Sequence, residues 1–141
     1  MVNEIMAAPD DKLYEYAVIR YVPRVDREEF VNIGLVMMNK RHKWMKALII
    51  LDEERIRALY PDADLDSLKR QSRLFELKDV PSVNLPVEEK YRWITSVKSA
   101  CLQVSPSHPG LLTTVLQKET DTDISHAMEV EFDRLFHSLI L

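Results

Sequence analysis

Three runs of β-branched and aromatic residues follow one another between Tyr14 and Leu51, separated only by short polar breaks. Breaks that short join strands as hairpins, because a parallel connection needs a long crossover. Tyr14 to Val22 (YEYAVIRYV) reads as the first strand, ended by Pro23. Asp26-Arg27-Glu28-Glu29 has capping-box spacing and predicts a single helical turn. Phe30 to Asn39 (FVNIGLVMMN) reads as the second strand, Asn39 to His42 as a hairpin turn, and Lys43 to Leu51 (KWMKALIIL) as the third strand. Gly34, in the middle of the second, predicts a bulge or the close approach of another element.

Helical periodicity then replaces strand alternation. Asp52 caps a short helix through Tyr60, stopped by Pro61. Asp64 caps a second, with Leu65, Leu68, Ser72 and Phe75 on one face. Pro86 suits the first turn of a third, with Val87, Tyr91 and Ile94 together. Residues 79–85 and the Thr-rich stretch 111–122 read as loops. Ser99 to Val104 reads as a fourth strand, and Ser105 to Gly110 (SPSHPG) as irregular because Pro106, Pro109 and Gly110 break regular structure. A last helix from about Asp123 to Leu139 carries the stripe Ile124, Met128, Phe132, Leu135, Phe136 and Leu139. The fold class is therefore α+β: an antiparallel sheet, a three-strand meander plus a fourth strand, packed by three to four helices. Residues 1–12 read as a flexible N-terminal tail and 13–141 as one domain, the usual size for a single core.

Composition removes several function classes. Gly34 and Gly110 are the only glycines and lie far apart, so a phosphate-binding loop or dinucleotide fingerprint, which needs closely spaced glycines, is absent. No cofactor is expected. Net charge is −4 with a pI near 5.6, which disfavours nucleic acid and anionic membranes as partners. The basic run Lys40-Arg41-His42-Lys43 beside Trp44 resembles a nucleic-acid finger, but in a chain this acidic it reads as a solvated hairpin tip. Cys101 is the only cysteine, so the expected compartment is a reducing cytoplasm. Met1 to Lys12 has no apolar core and does not read as a signal peptide, and Ala47 to Leu51, the longest apolar run, is far too short to span a membrane.

No metal site is expected either. His42, His108, His126 and His137 show no metal-ligand spacing, and His126 and His137 lie about 16 Å apart along one helix. Folding should therefore be indifferent to chelators. An unfolding midpoint lowered by EDTA, with loss of a stoichiometric metal, would overturn this.

The candidate catalytic residues are His108, as a general base, and Ser105 beside it in the Pro-flanked loop; the same residues also suit a capped turn. Candidate binding residues are Arg20, Asn32, Arg92, Lys98, Gln103 and Ser107. Arg20 stands out because strand alternation puts it on the face of Tyr16 and Val18, where a cation needs a carboxylate partner or an anionic ligand.

The run from Tyr14 to Pro23, followed by Arg27-Glu28-Glu29-Phe30-Val31-Asn32-Ile33-Gly34, resembles the opening of the bacterial family known as domain of unknown function 3037. Tyr91-Arg92-Trp93-Ile94-Thr95, Ser99 and Gln103 to Leu111 resemble its second motif, and Glu131 to Phe136 its closing one. The resemblance covers about residues 13–139. It departs at Val97-Lys98-Ser99, where the family pattern has Pro-Arg-Ser; Lys98 keeps the charge but not the planar fork of arginine. The family's genes often neighbour those of HipA-like kinases, so the resemblance implies an accessory role beside a kinase-like protein partner. Two readings follow. One is a non-catalytic accessory or ligand-binding module, able to take an anionic small molecule. The other is a small hydrolase or nucleotide-processing enzyme with His108, Ser105, Arg20 and Arg92 in one cleft.

Overall fold

The computed structural model describes residues 12–75, 85–96, 99, 101–113 and 121–141. A curled five-stranded antiparallel sheet forms the middle layer. Strand β1 (Leu13–Arg24) is central. On one side it pairs with β2 (Glu29–Asn39), which pairs with β3 (Trp44–Ile49). On its other side lie β4 (Leu102–Val104), opposite Ile19 to Tyr21, and β5 (His108–Leu111), opposite Leu13 to Tyr16.

Helices cover both faces. Helices α1 (Glu53–Leu59), α2 (Leu65–Ser72) and α3 (Val87–Ser96) close one of them. There Ala17, Ile19 and Tyr21 of β1 pack with Ile56, Leu68, Tyr91 and Ile94. Asp52 and Asp64 cap α1 and α2 by accepting from the Arg55 and Ser67 N–H groups. The C-terminal helix α4 (Asp121–Leu139) closes the opposite face, burying Ile124, Met128, Phe132 and Phe136 against Tyr14, Val18, Leu35 and Met37. Alternation along β1 thus feeds two cores, which is why its middle is apolar on both faces. No helix among the described residues is long and apolar enough to cross a membrane.

Two expectations change. The first strand does not stop at Pro23; it runs to Arg24 through an irregularity between Tyr21 and Arg24. Part of the Ser105–Gly110 stretch is strand β5. The Leu112 N–H donates to the Lys12 carbonyl, and bonded pairs alternate, so Pro109 opposite Glu15 occupies a position whose nitrogen points away from β1. Its missing N–H therefore costs the ladder nothing.

The glycine and turn expectations hold. A Cβ on Gly34 would lie 2.7 Å from the Leu48 carbonyl oxygen and the Ile49 side chain, so the close approach of β3 requires glycine there. The single helical turn is present as the 3-10 turn Val25–Arg27, but no capping box forms it: Arg24 is its N-cap without a side-chain cap, and Asp26 lies inside the turn, accepting from Arg24. The hairpin tip at residues 40–43 is closed by Lys43 N–H donating to the Lys40 carbonyl.

Candidate functional site

Strands β4 and β5 follow β1 as one edge, interrupted at Ser105-Pro106-Ser107. Across the interruption the Ser105 N–H donates to the Val18 carbonyl, and the Ser105 hydroxyl accepts from the Val18 N–H at 2.9 Å while donating to the Pro106 carbonyl. Ser105 is 5% exposed, so this hydroxyl replaces a backbone partner that the kinked chain cannot supply. Ser107 turns to the α3 side. It bonds the Tyr91 hydroxyl at 2.8 Å and donates to Glu15 Oε1 at 3.1 Å. Burial pushes the Tyr91 hydroxyl up to about 12, so it stays protonated as the inner end of this chain. His108 faces the other way, its ring 5.3 Å from that of Tyr16, and it is exposed.

Three of the candidate binding residues stand side by side on adjacent strands. Arg20 pairs across β1–β2 with Asn32 and across β1–β4 with Gln103. All three lie on the α4 face, since Ile19, Tyr21 and Leu102 point into the opposite core. The Arg20 guanidinium lies over the Phe30 ring, 4.3 Å from its centroid. Asn32 Nδ2 donates to the Leu139 carbonyl at the end of α4. Arg55 donates to the next carbonyl, that of Ile140. Donors at these two carbonyls satisfy groups that the end of a helix leaves open. Arg20 Nε and Asn32 Oδ1 are buried and have no hydrogen-bond partner among the described residues.

The other candidates do not join this row. Arg92 is exposed on α3, across the sheet. His108 stands opposite Tyr16, about 13 Å along β1 from Arg20. Lys98 lies outside the described residues. Trp44, beside the basic hairpin tip, is 9% exposed and its Nε1 donates to Glu129, so its ring is turned inward. Among the described residues no group of three or more His, Cys, Asp or Glu could hold a metal ion.

One polar cluster was not expected from the sequence. The Tyr14 hydroxyl donates to Glu131 Oε2 at 2.5 Å, and Arg134 holds the same carboxylate through two bonds of 2.8 Å. These bonds fasten α4 to β1. Arg134 keeps the Glu131 carboxyl below the ordinary range, while burial and the adjacent carboxylate raise the Tyr14 hydroxyl. A carboxyl depressed by folding stabilises above its unfolded value and loses that contribution as pH falls through the folded one. Glu131→Gln should therefore be less stable than the parent at neutral pH, with the gap closing below about pH 4. Urea unfolding midpoints measured from pH 7 to pH 3 check this; a constant gap would overturn it.

A concavity of about 550 Å³ sits at the free end of the sheet beside β5. Leu13, Tyr14, Glu15, Met38, Lys40, Arg41 and Pro109 line it. Of the Ser105–Gly110 stretch it takes Pro109, and its cations come from the hairpin tip rather than from Arg20 or Arg92.

Fold and site together define a small α+β protein, a curled antiparallel sheet held between helices, with Arg20, Asn32 and Gln103 side by side across its middle strands. The chain belongs to the family described as Protein of unknown function (DUF3037), whose model matches residues 16–140. No curated protein and no solved structure matches the chain significantly.

Proposed function

We propose that this chain is a non-catalytic binding module that grips an anionic group, a carboxylate or a phosphate, through Arg20. One observation carries the reading. Arg20 lies on the α4 face of β1 with its guanidinium over the Phe30 ring and its Nε buried, and no carboxylate pairs with it among the described residues. Stacking on an aromatic face contributes about 0.5–2 kcal/mol, but it satisfies none of the five N–H donors. An anion would answer them in the planar geometry that arginine favours. Asn32 and Gln103 flank the guanidinium and supply amide donors and acceptors. The resemblance drawn from the sequence makes a HipA-like kinase the partner that would present the anionic group.

The dispersal of the other candidates favours binding over hydrolysis. A hydrolytic cleft needs nucleophile, base and anion donors within reach of one atom. Here the Ser105 hydroxyl is engaged by backbone groups, His108 stands by Tyr16, and Arg92 is across the sheet.

Arg20→Met tests the reading. The variant should fold, keeping the aliphatic stem over Phe30, and should lose stabilisation by inorganic phosphate. In the parent, phosphate at 100 times its Kd should add about 2.7 kcal/mol. Equal stabilisation of parent and variant at matched ionic strength would refute the site. Sedimentation of the chain with a purified HipA-like kinase, parent against variant, tests the partner.

A further inference from the structure

We propose that the concavity at the free end of the sheet is a second binding site, for a short zwitterionic peptide of about dipeptide size with apolar side chains. It lies on the α1–α3 face, away from Arg20: Glu15 alternates with Ala17, and Met38 opposite it belongs to the core on that side. Its described lining comes from β1, β2, the hairpin tip and β5. About 550 Å³ falls within the range of small-ligand pockets and exceeds what one amino acid fills.

The chemistry of the walls selects the ligand. Leu13, Met38 and Pro109 make an apolar floor, and Leu13 is 43% exposed there, with Leu111, 49% exposed, opposite it. Two apolar side chains left open side by side on a strand pair are suited to covering the side chains of a guest. Opposite charges stand at the two ends of this floor. Glu15 faces Met38, and Lys40 lies two residues beyond Met38, in the turn that follows β2. They form no ion pair with one another, and Lys40 Nζ has no hydrogen-bond partner among the described residues.

Glu15 is also positioned in advance. Ser107, itself bonded to buried Tyr91, donates to Glu15 Oε1, and Oε2 carries no bond among the described residues. An acceptor oriented by a hydroxyl chain from the core, set across an apolar floor from an unpaired ammonium, matches a ligand with an ammonium at one end and a carboxylate at the other. A purely anionic ligand would meet Glu15, and a purely cationic one would meet Lys40 and Arg41.

The test uses L-leucyl-L-leucine as the probe, with unfolding midpoint and calorimetric titration as readouts. The parent should bind it. The N-acetylated and the C-terminally amidated dipeptides should each bind at least tenfold more weakly, as loss of one charge pair implies about 1.4 kcal/mol. Glu15→Gln should weaken the free dipeptide tenfold without further weakening the acetylated one. Lys40→Met should do the same with respect to the amidated one. Both positions are exposed, and unchanged far-UV circular dichroism confirms folding. Ser107→Ala should weaken binding less than Glu15→Gln does. Failure of the parent to bind at millimolar dipeptide would overturn the site, as would equal affinity for free and capped dipeptides. Binding unchanged in both charge variants would overturn the zwitterion and leave an apolar pocket only.

Discussion

Replacing Phe132 with alanine is expected to cost about 3–5 kcal/mol of unfolding free energy. Phe132 is fully buried at the centre of the α4-side core and stacks on Phe136 with ring centroids 5.9 Å apart. Lys46 Nζ sits 4.8 Å above its ring and is held there by Glu129 of the same helix at 2.8 Å. The truncation would remove the largest fully buried side chain among the described residues and leave a cavity bounded by strands on one side and a helix on the other. Neither element can collapse into it without breaking its own ladder, so relaxation recovers little. Urea denaturation checks the figure. A loss under about 1 kcal/mol would show that α4 does not close this face.

Gly110→Ala is expected to cost about 1–3 kcal/mol, a large effect for one added methyl. A Cβ at Gly110 would stand 2.2 Å from Tyr14 Cζ and 2.6 Å from its hydroxyl oxygen. The ring would have to move, and its bond to Glu131 would be lost with it. The backbone of Gly110 is not at positive φ, so the glycine is required for space rather than for conformation. A double-mutant cycle separates the two causes. On a Tyr14→Ala background the glycine substitution should cost almost nothing, because the ring it displaces is gone. A full cost on that background would place the fault in the backbone.

Tyr14, Gly110 and Glu131 also show where sequence reasoning reached its limit. Local patterns were legible because their causes are local. The caps at Asp52 and Asp64, the α4 stripe and the hairpin between β2 and β3 each depend on residues within a few positions. Strand β5 was not, since Pro109 looks like a breaker until its partner is known, and that partner, Glu15, is distant in sequence. The same holds for the site. Alternation was enough to place Arg20 with Tyr16 and Val18. Its adjacency to Asn32 and Gln103 follows from the registers of two separate pairings, which no local pattern encodes. Tyr14, Gly110 and Glu131 stand in three separate motifs of the family resemblance. That was the available sign that they meet, but one sequence does not say which residue of each motif touches which.

The position of β1 has a consequence for how the chain is made. This strand precedes the other described strands in sequence and ends up in the middle of the sheet, yet β4 and β5, which cover its second side, come from beyond residue 100. A ribosome adding roughly 5–20 residues per second needs about 4–16 s for the intervening 80 or so residues. During that interval the β1–β2–β3 meander lacks α4 over one of its apolar faces, and the β1 edge is without its cover. Such an edge is a template for pairing with other chains. Nascent chains stalled between residues 60 and 100 should therefore be the form of this protein most prone to aggregate and most dependent on chaperones. The finished edge, closed through Ser105 and Leu112, would no longer present that hazard.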